Sequence, residues 1–225
     1  MHEPYLDALH AAADPFRAEE LRAYHKADRV YLGLTNPQIN DLVTDWREAL
    51  DVPARVAVAD GLWRSDIFEA RIAAAKLLTQ ARLRPDDEPA WQLIATWYRD
   101  FDSWAIADHA CAAGAKRLVA NPTRLDRVEG WTRSEHLWTR RAALVITLPW
   151  AKLANPKPAD LDTRERVLGW AADYAIDSQW FIQKAIGSWL RDLSKHDPAR
   201  VTAFLDAHGD AMKPFARKEA KRLMR

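Results

Sequence analysis

The sequence has few of the residues that build cross-links and phosphate-binding loops. Its 225 residues include one cysteine, Cys111, and seven glycines. A single cysteine excludes an internal disulfide and is typical of a reducing compartment. No run of roughly 18 apolar residues occurs, so no membrane-spanning helix is expected. The beginning, MHEPYLDALHAAAD, carries acidic residues and lacks the basic start of a signal peptide. We therefore expect a cytoplasmic protein without membrane association.

Sequence motifs for metals and nucleotide cofactors are also missing. The seven histidines form neither an HxxxH nor an HExxH pattern, and one cysteine cannot complete a zinc set. Walker A, GxGxxG and GxSxG motifs do not occur either. We therefore expect neither a bound metal nor a nucleotide cofactor.

A charge bias is equally absent. Lysine and arginine total 33 and aspartate and glutamate 32, which gives a formal net charge of +1. Most duplex-binding proteins are more basic, because their cations release counterions from the phosphates. The basic residues are unevenly placed, however, since 213–225 holds six of them and a single acid, Glu219. This distribution is compatible with DNA binding without indicating it.

A helical pattern, by contrast, extends over nearly the whole chain. Apolar residues recur at i, i+3 and i+4, and the segments break at Asp-Pro and Asn-Pro pairs. Helix pairs recur about every 35 to 45 residues, as in HEAT-like repeats. The pattern predicts an all-α protein, an αα-superhelix that forms one curved solenoid domain over 1–225 with a concave groove. The predicted helices are 4–13, 16–27, 36–49, 53–63, 66–82, 88–99, 103–119, 122–132, 135–149, 159–175, 178–194, 198–208 and 213–224.

Eleven tryptophans are an unusually large number for this length. Most of them, eight by our estimate, are expected to fill the seams between packed helices. Those that remain would line an open cleft, where an indole ring contacts a sugar or a base.

One constellation of residues suits the chemistry of glycosidic bonds. Trp104 and Asp108 stand four residues apart and project from one helix face. A carboxylate beside an aromatic ring offsets the positive charge of an oxocarbenium-like transition state. Arg141 of the next repeat would hold a phosphate. The same three residues also suit a helix cap, a core ring and an ion pair, and spacing alone leaves both interpretations open.

Three segments together resemble the AlkD family of DNA glycosylases: DSWAIAD (102–108), LWTRRAAL (137–144) and WFIQKAIGSWLRD (180–192). YLGLTNP (31–37) and GLWRSDIFEARIAA (61–74) extend the resemblance over most of the chain. It implies a monomer that acts on double-stranded DNA and removes cationic alkylpurines, such as 7-methylguanine and 3-methyladenine, without a general acid or a cofactor. It assigns catalysis to Asp108, the sugar-side wall to Trp104 and a phosphate contact to Arg141. It also suggests that auxiliary DNA contacts come from Trp138, Lys184, Ser188, Trp189, Arg191, Lys218 and Arg222.

The sequence departs from the family pattern at two points. The family pattern for the helix that contains Trp104 and Asp108 is W-D-x-V-D, and this sequence has Ala105 in place of the first aspartate. The tryptophan that usually follows the glycine of the last segment is replaced by Ser188, and Trp189 comes one residue later. A shift of one residue turns a helical side chain by about 100°, so Trp189 is not a simple substitute. These departures favour a non-catalytic DNA-binding paralogue as an alternative, and the near-zero charge favours a HEAT-like protein–protein adaptor.

Overall fold

The computed structural model describes residues 2–224, which are helical with short connections. Among these residues there is no β-strand, and the extended segments meet only in one isolated bridge, between Val30 and Ile67. The all-α prediction is confirmed. The chain divides into two compact units, one ending at Asn121 and one beginning at Pro122. The single solenoid domain over 1–225, with its concave groove, stays a prediction.

The first unit consists of helices that lie within or close to the predicted segments. Predicted helix 66–82 is shorter at both ends, because it begins only at Phe68, after extended residues bonded to Val30, and ends at Leu77. Predicted helix 88–99 ends at Ile94 and is followed by a 3-10 helix, Trp97–Asp100. The helices are α1 (Glu3–Ala11), α2 (Pro15–His25), α3 (Asn36–Ala49), α4 (Val52–Arg64), α5 (Phe68–Leu77), α6 (Glu88–Ile94) and α7 (Trp104–Ala120).

The second unit differs more from its prediction near its beginning. Predicted helix 135–149 is two helices, because Pro149 cannot continue the first and the hydroxyl of Thr147 donates to the carbonyl of Leu144. Predicted helix 122–132 is a short α-helix between 3-10 turns. The helices are α8 (Leu125–Glu129), α9 (Leu137–Val145), α10 (Leu148–Ala151), α11 (Pro158–Asp173), α12 (Trp180–Ser194), α13 (Pro198–His208) and α14 (Pro214–Lys221).

Aspartate-proline pairs start helices as the sequence predicts. The carboxylate of Asp14 accepts a hydrogen bond from the backbone N–H of Arg17 at 3.1 Å, and Asp197 accepts one from Arg200 at 3.0 Å. The proline that follows each aspartate occupies the first turn, where its missing N–H costs no hydrogen bond.

A buried carboxylate holds the loop between α2 and α3. Glu69 is 1% exposed and accepts from the backbone N–H groups of Leu32 at 3.0 Å and Gly33 at 2.7 Å. Gly33 has a φ of 85°, and a Cβ there would lie 2.1 Å from the carbonyl oxygen of Asp14. Glycine is therefore required at this position, and the loop is fixed against α5.

No helix within residues 2–224 has both the length and the apolar character needed to cross a membrane.

Candidate functional site

Tryptophan burial separates the candidate contact residues from the core. Eight of the eleven indoles are buried, as estimated from the sequence. Trp104 and Trp138 are half-buried, and Trp180 is 47% exposed. These three rings are the ones with surface available for a ligand.

Trp104 and Asp108 lie one turn apart at the beginning of α7. The helix starts at Trp104 because Ser103 is its N-cap, with the hydroxyl accepting from the backbone N–H of Ile106 at 3.3 Å. Both side chains are half-buried. On a helix, this spacing of four residues places the carboxylate and the indole on the same face.

A cavity of about 180 Å³ lies beside Trp104 in the first unit. The centroid of the Trp104 indole is 5.3 Å from the His25 ring and 6.2 Å from the Tyr24 ring. The cavity walls are mainly aromatic and apolar, so the sugar-side surface predicted for Trp104 borders a sheltered space. Among the lining residues are Tyr24, His25, Asn36, Phe68, Trp104 and His109.

Both histidines of this cavity are neutral at physiological pH. The pKa of His109 is lowered to about 4, mainly by burial and also by the nearby charge of Lys76, while Asp108 opposes the shift. Burial also lowers the pKa of His25. The carboxylate of Asp108 therefore has a neutral imidazole, and not an imidazolium, as its neighbour in the chain.

Arg141 lies in the second unit, on α9. It is 9% exposed, and its Cζ atom is 6.0 Å from the centroid of the Trp138 ring on the same helix. A guanidinium held over an indole has restricted freedom, which suits a contact of fixed geometry.

In the second unit, Trp138 is the first of four aromatic rings, each of which contacts the next. The Trp138 and Phe181 centroids are 4.6 Å apart, and those of Phe181 and Trp180 are 4.9 Å apart. Trp180 is stacked on Phe215 at 5.6 Å with an angle of 22° between the ring planes. We call Trp138, Phe181, Trp180 and Phe215 the aromatic strip.

Most of the predicted auxiliary contacts lie near one end of this strip. Trp180, Lys184, Ser188 and Arg191 follow one face of α12 and line a cavity of about 390 Å³, together with Arg222. Lys184 Nζ is 4.7 Å from the centroid of the Trp180 ring, and Lys218 on α14 is exposed. Cations and rings on the same surface are typical of nucleic-acid binding.

The arginines of this cavity are also engaged in ion pairs. Arg191 is bonded to Asp192 and Glu219, and Arg222 is 3.4 Å from Glu219. Burial lowers the pKa of Arg191, but the hydrogen bonds to the two carboxylates outweigh it and raise the pKa overall. The carboxylates partly offset the positive charge of Arg191 and Arg222. Lys184 and Lys218 are therefore the stronger candidates for phosphate contacts.

The structure corrects the prediction for Trp189. This side chain is 0% exposed and belongs to the core of the second unit. A fully buried ring has no surface for DNA, and α12 would have to rotate to expose it. Trp180, which the sequence analysis did not assign to the site, has that surface. The spacing of four residues between Trp180, Lys184 and Ser188 was the available signal.

A family model identifies the family of this chain, and solved structures share its fold. The family described as DNA alkylation repair enzyme matches residues 5–224. A structure described as a predicted DNA alkylation repair enzyme from Enterococcus faecalis is similar, with a TM-score of 0.78 and 20% identity over 94% of this chain and 96% of that one. AlkD2 from Streptococcus mutans has a TM-score of 0.61 and 20% identity over 85% and 91% of the respective chains. No curated protein matches. The chain belongs to the DNA alkylation repair enzyme family.

Proposed function

We propose that this protein is a DNA glycosylase that hydrolyses the N-glycosidic bond of cationic alkylpurines, such as 7-methylguanine and 3-methyladenine, in duplex DNA. Asp108 is the electrostatic catalyst, Trp104 the sugar-side wall and Arg141 the phosphate contact. The enzyme works as a monomer without a metal or a nucleotide cofactor.

The proposed reaction needs little from the protein beyond charge and shelter. An alkylated purine already carries a positive charge, so it leaves with the bonding electron pair as a neutral base. The sugar becomes an oxocarbenium ion, and a water oxygen then bonds to C1′ while its proton passes to solvent. The Asp108 carboxylate stabilises the sugar cation, and the Trp104 ring keeps bulk water from screening that charge.

The observation that carries this proposal is the Trp104–Asp108 pair on one face of α7, in a chain of the DNA alkylation repair family. The neutral His109 supports it as well, because an adjacent imidazolium would oppose a developing sugar cation. Asp108 is therefore the negative charge that we assign to the sugar cation.

The direct test is release of 7-methylguanine from a methylated duplex, measured by mass spectrometry. Asp108→Asn removes the charge and keeps the shape, so we expect a rate about 10²- to 10³-fold lower. Asp206→Asn, at an exposed position of α13, is the matched control and should leave the rate unchanged. Absence of base release by the wild-type protein in excess over DNA would contradict the catalytic proposal.

A second candidate function, DNA binding without excision, is favoured by one specific observation. Ser188 stands where the family has a tryptophan, and the neighbouring Trp189 is fully buried, so it does not restore that wall. Ser188→Trp separates the two functions. If the missing wall abolishes catalysis, this variant should gain base release that the wild type lacks.

A further inference from the structure

Trp180 is unusual among the tryptophans of this protein because it is exposed and yet held in place. Its ring is stacked on Phe215 of α14 and meets Phe181 edge to face at 4.9 Å. This indole is 47% exposed, so its packing on the two phenylalanine rings leaves much of its apolar surface in contact with water. Its fixed position on an open surface points to a ligand.

Two residues of α12, Gln183 and Gly187, fix the position of Trp180 relative to Phe215. The Gln183 amide, which is fully buried, donates to the carbonyls of Ala175 and Asp177 at 2.9 Å. Its oxygen accepts from the backbone N–H of Lys213 at 2.9 Å, directly before α14. The beginnings of α12 and α14 are therefore joined through a single side chain.

Gly187 completes this attachment one turn further along. A Cβ at Gly187 would lie 2.8 Å from the carbonyl oxygen of Ala216, so the two helices are in backbone contact there. This close approach leaves little freedom for α14 to move along α12. Trp180 and Phe215 are consequently a preorganised pair, which lowers the entropy cost of binding.

Space and charge beside the pair complete the site. Ser188 lines the cavity of about 390 Å³ next to Trp180, and its small side chain leaves that volume unfilled. Lys184 extends from the same helix face over the indole. A flat surface, an adjoining space and a neighbouring cation fit a planar base that is attached to a phosphate.

We propose that Trp180, backed by Phe215, stacks on one unpaired nucleobase of the bound DNA while Lys184 moves from the indole to the adjoining phosphate. The proposal rests on the DNA binding of the proposed function and deepens it. Trp180 thereby takes over the aromatic role that Ser188 cannot fill, at a position two turns earlier on α12. Stacking on an aromatic side chain raises affinity roughly 5- to 100-fold per base, which exceeds the roughly 2- to 5-fold effect of the exposed cation–π contact that it replaces.

The experiment compares two fluorescein-labelled duplexes of equal length, one fully paired and one with a single unpaired nucleotide, by fluorescence anisotropy. Trp180→Ala should weaken binding to the second duplex about 5- to 100-fold and binding to the first by less than about 2-fold. Trp180→Phe should retain most of the preference because it keeps a ring. Lys184→Ala should weaken both complexes and reduce the salt dependence by about one phosphate contact. Leu161→Ala, at an exposed apolar position of α11, should change neither.

The outcomes separate this inference from the proposed function. Wild-type protein that excises bases, together with Trp180→Ala that binds both duplexes as the wild type does, would overturn the inference alone. An equal loss on both duplexes would show a general effect on the surface and would also overturn it. Wild-type protein that neither binds these duplexes nor releases 7-methylguanine from the methylated duplex would overturn the proposed function and, with it, this inference. Thermal unfolding of each variant establishes that the fold is intact.

Discussion

The two units present their candidate contact residues in opposite ways. In the first unit, Trp104 borders a sheltered cavity with neutral histidines, and Asp108 is half-buried on the same helix face. In the second unit, the aromatic strip ends on an open surface with Lys184 and Lys218. Shelter strengthens the effect of a charge, whereas exposure allows rings and cations to reach a large, charged ligand. This division matches the proposed chemistry, in which the first surface carries catalysis and the second binds the DNA.

The two candidate sites are also held in place by different kinds of contact. The first site depends on a buried carboxylate, Glu69, that fixes the loop bordering its cavity. The second depends on the contact of two helix backbones at Gly187. Hydrogen bonds to a buried charge are lost all at once when the charge is removed, whereas a helix contact gives way by a small displacement. Substitutions at these two positions therefore test the comparison directly.

The largest effect on stability is expected for Glu69→Ala. The substitution leaves the backbone N–H groups of Leu32 and Gly33 buried without their acceptor, which should cost about 2–4 kcal/mol of unfolding free energy. Urea denaturation measures it. Glu19→Ala, which removes an exposed pair with Arg22 on α2, is the control and should change stability by less than about 0.5 kcal/mol. Equal stability of the two variants would show that the loop is not held by Glu69.

A smaller effect is expected for Gly187→Ala in the second unit. The new methyl group would collide with the Ala216 carbonyl, so α12 and α14 must separate at a cost of about 1–3 kcal/mol. Gly169→Ala is the matched control, because this glycine is also within a helix but its Cβ would meet nothing within 4 Å. There the change should stabilise by about 0.5–1 kcal/mol. Stabilisation by both substitutions would refute the close contact.

A pH dependence of stability is expected for the first unit. His109 has a pKa of about 4 in the folded protein and an ordinary value of 6.5 when unfolded. Between these values the unfolded chain binds more protons, so stability falls as the pH falls from 6.5 towards 4, by at most about 1.4 kcal/mol per pH unit. Above about pH 7.5 His109 is neutral in both the folded and the unfolded state and contributes no pH dependence.

The measurement is the change in unfolding free energy between pH 7 and pH 5. His109→Gln should lessen this change, and His10→Gln, at an exposed position of α1, should leave it as in the wild type. The same change in all three proteins would show that His109 is not buried in its neutral form.

The sequence predicted the helices well where local signals are strong. Proline after aspartate placed the beginnings of α2 and α13, because the aspartate caps the helix and the proline fits its first turn. Prediction was poorer near Thr147, where one expected helix is two, although Pro149 was available as a local signal for the break. The Trp104–Asp108 pair was also predictable, because a spacing of four residues places two side chains on one face of any helix.

What the sequence by itself determined is therefore the helical class, most helix bounds and the relative directions of side chains within each helix. Only the tertiary structure decided which face of α12 meets the core, and with it that Trp189 is buried and Trp180 exposed. The physical reason is that helical periodicity fixes the angle between two side chains, whereas their burial depends on the partner helix. For α12 that partner is α14, which packs against Gly187 and leaves Trp180 at the surface.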